Sequence, residues 1–215
     1  SSGGDLRAAL NLIESAHIAG GITLEVLKQI RPHAMQRGSS ESESHYELTS
    51  AMIKSIRGSH IDAALYYLAR LIEEGEPAEF IARRLAILAS EDIGNANPPA
   101  LNLASSTLNI VKQIGYPEAR ISLSQLVIYL ASSPKSNSAY EAINRAQKAV
   151  KEGDIDPIPE HIKTHAKGYL YPHHYGGWVP QEYLIRPKSF YRTQQIGFEK
   201  TLYEWHEKIV TPPST

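Results

Sequence analysis

At 215 residues, 42% hydrophobic and 21% charged, the chain has the size and composition of one large globular domain, or of one domain plus a small piece. A net charge of −1 excludes a global basic field for nucleic acid, but not a local basic patch. The absence of cysteine excludes disulfides and thiolate metal sites and fits a reducing, cytoplasmic setting; no apolar run nears the ~20 residues of a membrane span, and the small polar start shows no signal peptide.

The chain reads as helix after helix. Asp5 opens the first as an N-cap type, Leu6, Leu10 and Ile13 share a face, and Gly20-Gly21 stops it after Ala19. A short second helix runs from Thr23 to about Ile30 and closes before Pro32. The polar stretch that follows, with Gly-Ser-Ser-Glu-Ser-Glu-Ser at 38–44, reads as a linker, and the domain boundary falls between 45 and 46.

A denser region follows. Tyr46 to Ile56 is helical, and Ser59-x-x-Asp62 is a capping-box pattern for the next helix, which stops at Gly75. Pro77 opens a helix ending near Gly94, Pro98 or Pro99 opens one ending at Gly115, and Pro117 opens another. Ser136 precedes one more, with Tyr140, Ile143, Ala146 and Val150, ending at Gly153. Successive Pro starts and Gly stops predict short turns and compact antiparallel packing. From Asp154 to Ile196 the helical period fails. This proline- and aromatic-rich tract reads as an extended arm, with a short helix over Pro159 to about Lys167. A final helix is expected from Gly197 to Val210.

Two sets of residues carry a family resemblance. Gly4-Asp5-Leu6-Arg7-Ala8-Ala9-Leu10-Asn11 resembles the segment that opens one helix of the lid subdomain in AAA+ ATPases. Nothing reads as the G-x-x-x-x-G-K-[ST] phosphate loop. Further on, Ser50-Ala51-Met52-Ile53-Lys54-Ser55-Ile56-Arg57-Gly58-Ser59, Phe80-Ile81-Ala82-Arg83-Arg84-Leu85, Ala89-Ser90-Glu91-Asp92-Ile93-Gly94 and Tyr171-Pro172-His173 with Gly177-Trp178-Val179 stand in order. Together these resemble the C-terminal region of the replication-associated recombination protein A family (RarA or MgsA, related to the Werner-helicase-interacting ATPase).

The resemblance implies an all-α chain: the end of an AAA+ lid over 1–45, then a clamp-loader-collar-like oligomerisation domain over 46–215 with an irregular aromatic arm. It implies a module without enzymatic activity of its own, from a DNA-stimulated ATPase acting in replication-fork maintenance, recombination and repair. The parent would bind ATP and Mg, assemble as a homotetramer, and meet DNA and single-stranded-DNA-binding protein; the fragment would hold no cofactor. Arg7 matches the sensor-2 arginine of the lid, whose guanidinium stabilises charge developing on the phosphates. Leu6 stands where many members have Ala, which leaves the placement of Arg7 intact.

Other residues stay with two readings. Lys54 and Arg57, three apart on one helical face, and Arg83 and Arg84 could contact a phosphate backbone; so could Arg70. The plainer reading pairs the Lys54–Arg57 face with Asp62, Glu91 or Asp92, and Arg83 and Arg84 cannot both face inward. The arm aromatics could stack on bases. More simply they clamp the arm to its core or to a partner subunit, with Trp178 and Tyr183 as interface anchors. His161 and His165 lack the H-E-x-x-H pattern, so no metal site is assigned. The rival functions are a nucleic-acid-binding or partner-docking helical domain and, further off, a metal-dependent hydrolase using the histidines.

Overall fold

A computed structural model describes residues 41–211, plus Ile13, Glu14, His17, Gly21 and Thr23. Arg7, most of both lid helices and most of the linker lie outside the described residues. Among the described residues the structure is all-helical. There are seven α-helices: α1 (Glu41–Arg57), α2 (Ile61–Glu73), α3 (Ala78–Leu88), α4 (Pro99–Ile114), α5 (Ala119–Ser132), α6 (Ser138–Lys151) and α7 (Phe198–Val210). None of them is long and apolar enough to cross a membrane.

Helices α1 to α5 form the core. Met52 and Ile56 of α1, Leu68 and Leu71 of α2, Ile81 and Leu85 of α3, Ala104 and Val111 of α4 and Leu126 and Leu130 of α5 are buried together. Helix α5 is the hub, packing on α1, α2, α3 and α4. Its sequence explains this: buried Leu123, Leu126, Val127 and Leu130 leave no broad polar face, as expected of a helix enclosed on several sides. Each such Leu stabilises the fold by about 2 kcal/mol.

The punctuation acts where expected, with local differences. Helix α1 starts at Glu41, so the 45/46 boundary falls within its first turns and residues 41–44 of the linker are helical. The cap of α2 is His60, not Ser59: His60 Nδ1 accepts from the Ala63 amide at 3.2 Å. The α1–α2 turn is so tight that Ser59 sits at φ 57, and the His60 amide donates back to the Ser55 carbonyl at 2.9 Å. The expected helix at 159–167 is only a 3-10 turn, Glu160–Ile162. Between prolines and Gly168 there is too little chain to nucleate an α-helix.

After α3 the chain does not simply stop. A π-helical turn, Ala89–Ile93, leads into a 3-10 turn, Gly94–Ala96. Both α6 and α7 pack on that 3-10 turn by their N-terminal ends. Two glycines make the approach possible. A Cβ on Gly94 (φ +50) would lie 2.6 Å from the Ser136 carbonyl oxygen, and one on Gly197 (φ +57) 2.3 Å from that of Ala96.

Candidate functional site

Three of the cations singled out from sequence meet in one groove. It has a volume of about 370 Å³ between α1 and α3, with Ile53, Phe80, Ile87 and Leu88 as apolar lining and Lys54, Arg57 and Arg84 among its polar groups. Tyr46 stands at the same groove. Lys54 and Arg57 arrive together because i and i+3 share a helix face; Arg84 comes from the facing helix.

Arg57 pairs within the chain. Its Nε donates to Asp92 Oδ1 at 2.7 Å and its Nη2 to Asp92 Oδ2 at 3.1 Å, with Glu91 at 3.6 Å. The hydrogen bond that Arg57 donates to Asp92 is the main reason the guanidinium pKa is held above its usual value. The π-helical turn carries both Glu91 and Asp92, which gives it a clear role: it presents the carboxylates to α1. Of the expected partners Glu91 and Asp92 are used and Asp62 is not. Among the described residues Lys54 and Arg84 have no carboxylate partner, whereas Arg83 points elsewhere and pairs with Glu79 at 3.5 Å. Arg70 pairs with Glu74 at 3.1 Å.

A second polar cluster ties the turn after α5 to the turn between α1 and α2. Lys135 Nζ donates to the Ala131 carbonyl at 3.0 Å, the Ser133 carbonyl at 2.6 Å and Ser59 Oγ at 2.9 Å. Burial lowers its pKa. Nearby, Asn97 Nδ2 donates to Tyr129 Oη and Ser133 Oγ, both at 3.0 Å.

Sequence reasoning missed Glu199, which is fully buried in the first turn of α7. It accepts from Ser136 Oγ, from Tyr191 Oη at 2.9 Å and from the Gln194 amide at 3.2 Å. Burial pushes this carboxyl up, but these hydrogen bonds together outweigh it and hold the pKa below the usual value. No local signal marks a Glu for such a place; only the approach at Gly197 encloses it.

The arm is held by polar contacts. Arg186 reaches Asp154 at 2.7 Å and Asp156 at 2.6 Å, and Lys188 reaches them at 2.5 and 3.0 Å. Hydrogen bonds and charge from Lys188 and Arg186 lower the pKa of both aspartates. Gln181 brackets Leu170: its Oε1 accepts from the Leu170 amide at 3.2 Å and its Nε2 donates to the Leu170 carbonyl at 2.7 Å. His161 Nε2 donates to the Glu182 carbonyl at 2.8 Å. Trp178 is half-buried, Tyr183 is exposed, and among the described residues no three His, Asp or Glu side chains converge as metal ligands.

The outer helices complete the surface. The apolar residues Tyr140, Ile143 and Val150 of α6, and Phe198, Trp205 and Ile209 of α7, are exposed. Their only fully buried residues are Ser138 and Glu199.

This all-helical arrangement has relatives. Residues 58–210 match the family described as MgsA AAA+ ATPase C terminal, and residues 1–57 match the AAA C-terminal domain family. The chain is 42% identical to Replication-associated recombination protein A of Bacillus subtilis, over 97% of this chain and 55% of that protein. It is 36% identical to the protein of that name from Escherichia coli K12, over 75% of this chain and 38% of that protein. It is 31% identical to ATPase WRNIP1 of Dictyostelium discoideum, over 75% of this chain and 21% of that protein. The chain thus spans about half or less of these relatives. The two matches meet at 57/58, where α1 ends, and Arg57 on one side grips Asp92 on the other. The matched families, the order of the motifs and the helical fold agree: the chain belongs to the MgsA AAA+ ATPase C-terminal family of replication-associated recombination proteins.

Proposed function

We propose that this chain is the oligomerisation module of a longer AAA+ ATPase that acts at replication forks, in recombination and in repair. The observation that carries it is the pair α6 and α7, each with an apolar stripe left in solvent. Helices of 14 and 13 residues are marginal in water unless a face is buried. The names of the relatives and their greater length support the wider reading.

In that reading the module has no ATPase activity of its own. ATP and Mg bind to the parent's missing part, with Arg7 facing the phosphates. Assembly, as a homotetramer, sets ATPase units side by side, and DNA and single-stranded-DNA-binding protein are partners of the parent. The protein works in the cytoplasm. Light scattering on a size-exclusion column at two concentrations tests this: a concentration-independent mass near four chains is expected, and a mass of one chain at tens of micromolar refutes it.

The α1–α3 groove favours a second reading, a nucleic-acid or partner-docking surface, because Lys54 and Arg84 face it without carboxylate partners among the described residues. Under this reading, labelled single-stranded or forked DNA binds at low salt and is lost in the double charge reversal K54E/R84E. No binding at low salt dismisses it.

A further inference from the structure

Resting on the oligomerisation reading, we infer that the self-contact is heterologous: the seam of α6 in one copy receives the seam of α7 from the next. On α6 the outward residues Tyr140, Ile143, Gln147 and Val150 are spaced three, four, three. On α7 the residues Phe198, Leu202, Trp205 and Ile209 are spaced four, three, four. Both are the alternating three-four spacing of a coiled-coil seam, so each face is shaped for another helix rather than for a flat surface. Ile143, Val150, Trp205 and Ile209 are 54, 57, 52 and 54% exposed, so neither seam is covered within the described chain.

The two faces match each other. Each helix is about 20 Å long and shows two turns of seam. On α6, Arg145 and Lys148 pair with Glu141 and Glu152 of their own chain, both at 3.7 Å, which leaves Lys151 at the far end; the far half of α7 carries Glu204 and Glu207 against Lys208. Within one chain the two helices do not cover one another. Both are tethered at their N-terminal ends to Gly94–Ala96, where Glu199 accepts from Ser136, and their apolar stripes remain exposed. A second copy supplies the missing helix. One α6 seam and one α7 seam per chain give head-to-tail contacts, which close into a ring where the rotation allows.

Two variants at exposed positions separate the possibilities: Ile143→Asp on α6 and Trp205→Asp on α7. Helical content by circular dichroism checks that both fold. In a heterologous assembly every junction needs one α6 and one α7, so each variant alone runs as a single chain. Mixing the two restores one intact junction and yields a pair of chains and nothing larger. If instead α6 meets α6 and α7 meets α7, each variant alone still pairs, which overturns the inference while leaving oligomerisation standing. Variants that keep the wild-type mass also overturn it, because the contact then lies elsewhere, the α1–α3 groove included. A wild-type chain that is itself monomeric removes both this inference and the reading beneath it.

Discussion

Helices α1–α4, which enclose α5, and the outer pair α6 and α7 share an amphipathic pattern and similar lengths, yet they are held in opposite ways. The bundle buries Met52, Ile56, Leu85, Leu126 and Leu130 completely. The outer pair is fastened by polar and close backbone contacts: Glu199 with Ser136, Tyr191 and Gln194, Arg145 Nε donating to the Phe190 carbonyl at 2.7 Å, and the two glycines. The difference teaches that amphipathicity says a helix needs a partner without saying that the partner is in the same chain.

The comparison breaks most sharply in the bundle. Leu126→Ala empties a site at the hub of five helices and is expected to lower unfolding free energy by about 3 kcal/mol, read from the urea midpoint. A loss below about 1 kcal/mol contradicts the hub role of α5. Next comes Gly197→Ala, which forces a Cβ against the Ala96 carbonyl at a left-handed φ. A loss of about 2 kcal/mol is expected. Amide exchange should rise in α7 before it rises in α5.

Removing the guanidinium in Arg57→Ala leaves Asp92 nearly buried without its partner. The cost should be about 1–2 kcal/mol, at the low end because the Arg57 side chain is half exposed. A double-mutant cycle with Asp92→Ala that shows no coupling rejects the pair. The Glu199 cluster gives a pH signature. Its depressed pKa stabilises the fold above the carboxyl's unfolded value of about 4.3, and that contribution is lost as pH falls through the folded value. Glu199→Gln should therefore flatten the acid side of the stability profile; an unchanged acid limb counts against it. Smallest for global stability is Arg186→Ala, at an exposed charge cluster. Its effect should be confined to faster exchange across 154–188 and should shrink as salt rises.

What could be read in advance was local. Pro99 and Gly115 bracket α4, and Gly197 precedes α7, because these residues act through their own φ angles and missing donors. The shared face of Lys54 and Arg57 was legible from helical spacing, but of the candidate acids Asp62, Glu91 and Asp92 only the fold shows that Arg57 takes Glu91 and Asp92. What escaped depends on distant chain. His60 caps α2 because of a tight turn, the π-helical turn aims Asp92 at α1, and Arg84 joins Lys54 only when α3 packs on α1. Tyr140, Ile143 and Val150 formed a clear helical face, but nothing in their spacing told whether it turned inward.

The central claim is that the bundle is complete within one chain while α6 and α7 wait for another. Hydrogen exchange read by mass spectrometry, on the same chain at high concentration and after dilution below assembly, tests it most directly. Protection in α6 and α7 should fall on dilution while α2, α3 and α5 keep theirs. Equal protection of α6 and α7 at both concentrations, or a loss that centres on the bundle, contradicts it.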